Sequence, residues 1–121
     1  MLLREAIGGL VRDLRTGRQL SLRGLAAEAE MSPTYLGEVE RGMKELSSET
    51  LARIARALGT PVADIVAGAA DRMLGDELTA DGAPVTDPEA LSRLRKLSYQ
   101  LGSEHLRTVT KFAEFLVVAR G

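Results

Sequence analysis

Two short helix signals separated by only two residues constrain this 121-residue chain more than any other feature. The first begins at Ser21, a good N-terminal cap, and its apolar residues recur at helical spacing for about two turns. The second begins at Ser32, and Pro33 follows at the first helical position, where a missing N–H is harmless. Only Glu30 and Met31 separate the two segments. The pattern predicts two short helices joined by a minimal turn.

An amphipathic helix is predicted before this pair. Its apolar residues recur at steps of three and four, and they are Leu2, Leu3, Ala6, Ile7, Leu10, Val11 and Leu14. Gly17 is well placed to end the helix in the left-handed cap conformation. The Gly8-Gly9 pair inside it lowers helix propensity by ~1 kcal/mol per glycine, so we expect another element to pack closely there.

Two more helices are predicted after the pair, and the pattern then breaks. Ser47 or Ser48 caps a helix that stops at Gly59, and Thr60-Pro61 opens a fifth helix that continues to about residue 73 or 74. The inward stripe of the fourth helix is Leu51, Ile54, Ala55 and Leu58. Residues 75–87 hold two glycines, a proline and four acidic residues, a composition typical of a surface linker.

The pattern of residues 88–121 predicts a helical hairpin whose apolar side chains must be covered by another surface. Asp87-Pro88 caps one helix, and Ser103 begins a second that is apolar on much of its circumference. A segment this short cannot bury a core alone, so either the first domain or another copy of the chain covers it. We favour a dimer, with packing within the chain as the alternative. The predicted dimerisation residues are Leu106, Val109, Phe112, Phe115 and Leu116.

Charge and composition exclude several classes of function. Residues 1–66 hold nine basic and nine acidic residues, so global charge gives no support for nucleic-acid binding. With no cysteine and a single histidine, His105, the chain offers neither a disulfide nor a zinc ligand set, and no serine has a histidine partner. We therefore expect no enzyme, no metal and no cofactor. Without a signal peptide or membrane-spanning run at the sequence level, we expect a cytoplasmic protein.

The joined pair inside a five-helix set is the geometry of a helix-turn-helix. The string LSLRGLAAEAEMSPTYLGEVERG (20–42) resembles the Cro/repressor-like, or XRE, class of bacterial helix-turn-helix regulators over about residues 3–68. The matching elements are Leu25-Ala26, Ser32-Pro33, Tyr35-Leu36, Glu40-Arg41-Gly42 and the downstream string SSETLARIARALGTPVADI. The string SPTYLGEVERGMKELSSETL is also similar to actinobacterial regulators of Clp protease genes. Many members of the class have glycine at the turn, where this chain has Glu30.

The resemblance implies an all-α fold with a five-helix, lambda-repressor-like DNA-binding domain at 1–68. The residue pattern adds a helix extension and linker at 69–87 and the helical dimerisation segment at 88–121. The third helix would lie in the major groove, with Pro33, Thr34, Tyr35 and Glu38 at the base-reading positions. The Thr34 hydroxyl can donate or accept a hydrogen bond, and its methyl group can contact that of thymine. The Glu38 carboxylate can accept a hydrogen bond from cytosine N4. The alternatives are core packing for Tyr35 and a solvated charge for Glu38.

Phosphate contacts and one structural ion pair complete the implied site. The candidate phosphate ligands are Ser21, Arg23, Arg41 and Lys44. Each arginine has the alternative of a plain surface role. The resemblance pairs Glu40 with Arg15 on the first helix, which makes Glu40 a structural device rather than a DNA contact.

These features lead to two hypotheses of different classes. The first is a homodimeric, sequence-specific transcription regulator that binds a palindromic double-stranded operator, with possible contact to RNA polymerase or another partner protein and none to a membrane. The second is an antitoxin-like protein that binds a partner toxin and its own promoter. The sequence does not decide between activator and repressor.

Overall fold

The computed structural model describes residues 1–78 and 87–120, and the elements in those residues are all α-helices. They are α1 (Leu3–Gly17), α2 (Leu22–Glu28), α3 (Pro33–Glu40), α4 (Ser48–Leu58), α5 (Val62–Leu78), α6 (Pro88–Ser98) and α7 (Ser103–Arg120). The predicted all-α class is confirmed. The chain divides into two compact units, Met1–Thr86 and Asp87–Gly121, and each is described by itself.

Serine caps fix where three of the helices begin. The side chains of Ser21, Ser32 and Ser47 each accept a hydrogen bond from the backbone N–H three residues later. Each hydrogen bond satisfies one of the N–H groups that a helix start leaves unpaired. These helix starts are therefore set locally, as the sequence predicted. Of the two serines that could cap α4, Ser47 is the one that does so.

The predicted left-handed cap at Gly17 is wrong, because α1 continues through Gly17. The left-handed residue is Gln19, with φ +58°. The backbone N–H of Leu20 reaches back to the carbonyl of Arg15 (3.0 Å), and the Arg15 side chain donates to the carbonyl of Leu20 (2.9 Å). These two bonds hold the turn tightly enough for a residue with a Cβ to occupy it. Glu30 takes the same conformation between α2 and α3, with φ +57°.

The core of the first unit is a single cluster under α1 to α5. Its buried apolar residues are Ala6, Ile7, Leu10, Val11, Leu25, Ala26, Ala29, Leu36, Val39, Leu51, Ile54, Ala55, Leu58, Ile65 and Ala69. Leu2 and Leu3 were expected in this stripe, but they are 52% and 49% exposed. Leu2 precedes the helix and Leu3 stands in its first turn, at the edge of the cluster, so half of each surface stays in solvent.

Helix α5 runs to Leu78, beyond the predicted end at residue 73 or 74. Two ion pairs join its second half to the start of the chain: Arg72 to Asp13 (2.6 Å) and Asp76 to the amino group of Met1 (3.4 Å). These two ion pairs stabilise the second half of α5, where the local composition had predicted a linker. The remainder of the predicted linker, residues 79–86, lies outside the described residues.

Close approach of α1 to α3 depends on Gly8. A Cβ there would overlap the carbonyl oxygen of Val39 and stand 2.9 Å from that of Glu40. Because glycine has no side chain, the backbone of α1 lies directly against the end of α3. The close packing expected at the glycine pair is therefore found at Gly8, whereas Gly9 faces the side chain of Arg72.

The second unit consists of α6 and α7, whose facing residues leave an open apolar groove. Asp87 caps α6 by accepting from the N–H of Ala90 (2.9 Å). The groove has a volume of about 520 Å³, and Leu94, Leu106, Val109 and Val117 are among its lining residues. Among residues 1–78 and 87–120, no helix is both long enough and apolar enough to cross a membrane.

Candidate nucleic-acid interface

Helix α3 divides into an inward and an outward face. Leu36 and Val39 are buried in the core. Thr34, Glu38 and Arg41 follow at steps of four and three, so they lie on one outward arc of the helix. Thr34 and Arg41 are exposed and Glu38 is half-buried. The outward arc therefore presents a hydroxyl, a carboxylate and a guanidinium side by side.

Glu40 lies away from this arc and contacts α1. Its carboxylate accepts from Nε of Arg15 (2.7 Å) and from Nη2 of Arg15 (3.0 Å), so the pair is bidentate. Only 6% of the Glu40 side chain and 14% of the Arg15 side chain are exposed. The hydrogen bonds that Arg15 donates to Glu40 raise the pKa of Arg15 above its ordinary value, although desolvation by burial opposes the shift. The structure thus ties α3 to α1 by a charged pair that is largely out of solvent.

Glu38 is linked to the loop that follows α3. Its carboxylate lies 3.4 Å from Nζ of Lys44. The backbone N–H of Met43 donates to the carbonyl of Glu38 (2.9 Å), which folds the loop back along the helix. Lys44 is therefore held beside the outward arc, and one of the two acidic charges on α3 has a cation next to it.

Three predicted contact residues share a shallow depression between α2 and α3. It has a volume of about 310 Å³, and Pro33, Thr34 and Arg41 line it together with Leu22 and Gly37. This α2–α3 depression opens on the same side as the outward arc. Sequence reasoning missed Leu22 and Gly37, although a glycine inside a helix, with no turn to serve, is a recognisable sign of close approach.

The other predicted site residues are distributed around α2 and α3. Tyr35 is half-buried and packs against the core cluster. Ser21 and Arg23 are exposed at the start of α2, and the Ser21 hydroxyl already accepts from the N–H of Gly24 (2.9 Å). Nearby, Nη2 of Arg18 donates to the hydroxyl of Thr60 (3.0 Å).

A second feature that sequence reasoning missed is the support of the loop carrying Lys44. Nε of Arg4 donates to the carbonyl of Gly42 (3.0 Å), and Nη1 of Arg4 contacts Glu45 (2.6 Å). Gly42 itself has φ +73° and lies against Glu5. The first turn of α1 therefore braces the loop on both sides of Lys44. No local pattern connects residues so far apart in the sequence.

The chain is similar to one family model and to several known proteins. A family model described as "Helix-turn-helix" matches residues 11–65. The "Transcriptional regulator ClgR" of Mycobacterium tuberculosis is 39% identical over 83 residues, which are 69% of this chain and 74% of that protein. The "HTH-type transcriptional regulator DdrOP3" of Deinococcus deserti is 33% identical over 107 residues, covering 84% of this chain and 75% of that protein. The crystal structure of the clp gene regulator ClgR from Corynebacterium glutamicum aligns with a TM-score of 0.62 at 40% identity, over 84% of this chain and 98% of that chain.

Proposed function

Because the chain belongs to the XRE-type helix-turn-helix family of DNA-binding transcription regulators, we propose that it acts as a homodimer that inserts α3 into the major groove of a two-fold symmetric operator. The observation that carries the proposal is the outward arc of α3. Thr34, Glu38 and Arg41 lie together there, while the rest of the helix is anchored in the core and on α1. A helix held rigidly from behind can present its outer side chains to base edges in one register.

The base-reading roles follow from the position of each side chain on α3. Thr34 lies in the first turn, where a recognition helix approaches the bases most closely. Its hydroxyl can donate or accept, and its methyl group can contact that of thymine. Glu38 lies one turn later and accepts from the N4 amino group of cytosine. Pro33 and Tyr35 border the same turn, where Pro33 shapes the approach and Tyr35 places its hydroxyl near a phosphate.

The phosphate-binding roles fall to the residues at the edges of this arc. Ser21 and Arg23 stand at the start of α2, and Arg41 and Lys44 follow the end of α3. Cations in these positions set the register of the protein on the duplex without reading sequence. Because Glu40 is paired with Arg15, its charge does not oppose this approach.

Dimerisation through the second unit is supported by the apolar surface of α7. Phe112 and Phe115 are 62% and 64% exposed, and their ring centroids lie 6.5 Å apart. They extend the apolar surface beside the α6–α7 groove, which Leu106 and Val109 line. A second copy that covers this surface also explains how one chain with a short recognition helix gains affinity, because two half-sites about 34 Å apart are bound together.

The dimer is tested by introducing a charge into the groove. Val109→Asp is expected to reduce the mass in solution from twice the 13.0 kDa chain mass to one chain mass at micromolar concentration, because a dimer would bury the new carboxylate without a partner. Multi-angle light scattering after size exclusion measures this mass. Lys111→Asp places the same carboxylate at an exposed residue of α7 that neither lines the groove nor belongs to the proposed dimerisation residues, and it should leave the dimer intact. A wild-type chain that runs as a monomer would contradict the proposal.

DNA recognition is tested by selecting duplexes from a randomised library with the full-length chain. The expected product is a duplex with two-fold symmetry, here called the enriched duplex. Lys44→Ala should weaken binding to the enriched duplex and to a random duplex by the same factor. It should also reduce the slope of log affinity against log salt concentration by about one, because one phosphate contact is lost. Arg12→Ala removes an exposed cation of α1 that is not among the proposed contact residues; it is the matched control and should change neither quantity. A library from which nothing is enriched would refute sequence-specific recognition.

A further inference from the structure

Gly37 is an unusual residue for the middle of a recognition helix. Glycine lowers helix propensity, and the backbone of α3 is helical at this position, so no turn requires it. Gly37 is also buried, although Thr34 and Arg41 on either side of it are exposed. Some other group therefore covers the helix backbone at Gly37.

The covering group is the side chain of Arg41. A Cβ on Gly37 would stand 3.2 Å from Nη1 of Arg41 and 3.6 Å from Cδ2 of Leu22. The guanidinium therefore folds back across Gly37 toward α2 and lies in the α2–α3 depression. Leu22 forms the opposite wall, and Pro33 and Thr34 complete the lining.

Shape, rather than an opposite charge, holds the guanidinium in this place. Within residues 1–78 and 87–120, no carboxylate forms an ion pair with Arg41. Glu38, one turn before it on the outward arc, is paired with Lys44, and Glu40 is paired with Arg15. Arg41 is thus ordered against α2 while its positive charge stays available to an anion outside the protein.

We propose that Gly37 is a positioning residue that seats the guanidinium of Arg41 between α2 and α3 for a DNA phosphate. This inference rests on the proposed function. A long arginine side chain at a helix end loses rotamer freedom when it binds, and a seat that orders it beforehand reduces that loss. The planar guanidinium can then give two parallel hydrogen bonds to phosphate oxygens. Arg41 follows the last residue of α3, whereas base edges are approached by the first turns, so a phosphate is the fitting ligand.

The test compares Gly37→Ala, Arg41→Met and the double variant, each as the full-length chain. Binding to the enriched duplex and to a random duplex of equal length is measured by fluorescence anisotropy over a range of salt concentrations. We expect Gly37→Ala to melt at the same temperature or higher, because alanine favours the helix and its Cβ would press on the far end of a long side chain and not on backbone. It should nevertheless bind both duplexes several-fold more weakly, which is less than the roughly tenfold cost of losing a whole charge-assisted contact, because a Cβ 3.2 Å from Nη1 shifts the guanidinium rather than removing it. The salt slope should fall by less than about one. The double variant should bind no more weakly than Arg41→Met alone.

Gly17→Ala is the matched control, because a Cβ at Gly17 meets nothing within 4 Å. It should leave both affinities unchanged. The inference is overturned if Gly37→Ala binds as well as the wild type, or if its loss is confined to the enriched duplex. It is also overturned if the losses of the two single variants add in the double variant, or if Gly37→Ala fails to fold. A wild-type chain that enriches no sequence overturns the proposed function itself. Wild-type enrichment with an unaltered Gly37→Ala overturns only the role of Gly37.

Discussion

Glu40→Ala is expected to lower the free energy of unfolding by about 3 kcal/mol or more, because it leaves the guanidinium of Arg15 largely buried without its carboxylate. Urea unfolding followed by circular dichroism measures the loss at one protein concentration, which matters if the chain dimerises. A raised arginine pKa means that the stabilisation is present below the ordinary arginine pKa and is lost only as pH rises above it. The loss should therefore be equally large in neutral and in mildly alkaline buffer.

Two variants control for the general effect of removing a charge. Glu45→Ala breaks the ion pair with Arg4, but the Glu45 side chain is 80% exposed, so the expected cost is below about 1 kcal/mol. Replacing both members of the buried pair, by Arg15→Met with Glu40→Leu, should restore most of the stability, since no charge is then left unpaired. Equal losses from Glu40→Ala and Glu45→Ala would contradict the anchoring role of the buried pair.

Gly8→Ala is expected to be about as damaging as the loss of Glu40. The added Cβ would overlap the carbonyl oxygen of Val39, and backbone cannot move aside as a side chain can. We expect a loss of about 3 kcal/mol in the free energy of unfolding, at the upper end of what overpacking costs. The same urea titration measures this effect.

Gly9→Ala provides the neighbouring control for Gly8→Ala. A Cβ at Gly9 would meet only the guanidinium of Arg72 at 3.2 Å, and that side chain can shift. The gain in helix propensity should offset the contact, so stability should change by less than about 1 kcal/mol. If both alanine variants were equally stable, the close approach of α1 to α3 would not be the reason for Gly8.

Much of the fold was predictable because its signals are local. The caps at Ser21, Ser32 and Ser47 depend on residues three positions apart, and the helical stripes depend on periodicity. The extension of α5 was not predictable, because Asp76 and Arg72 find their partners near the start of the chain. The left-handed Gln19 was missed because no glycine marks it; local hydrogen bonds between Arg15 and Leu20, on either side of it, hold the turn.

The candidate site was likewise predictable in part only. The family resemblance, now confirmed, pointed to Thr34 and Glu38 on α3. The resemblance also paired Glu40 with Arg15, which takes one acidic charge of α3 away from the DNA. The position of Glu38 beside Lys44 could not be derived from the sequence, because the fold of the loop after α3 brings the two together. Sequence patterns also could not reveal the seat of Arg41, which depends on how α2 packs against α3.

Selection with Thr34→Ala and Glu38→Ala, alongside the wild-type chain, tests most directly whether the outward arc of α3 reads bases. The wild type should enrich two half-sites with centres about one helical turn apart. Each variant should lose base preference at one position in each half-site and keep it at the others, because each side chain meets its own base pair. Arg12→Ala should reproduce the wild-type preference. Base preferences identical to the wild type in both α3 variants would contradict the claim that this face of α3 reads the operator.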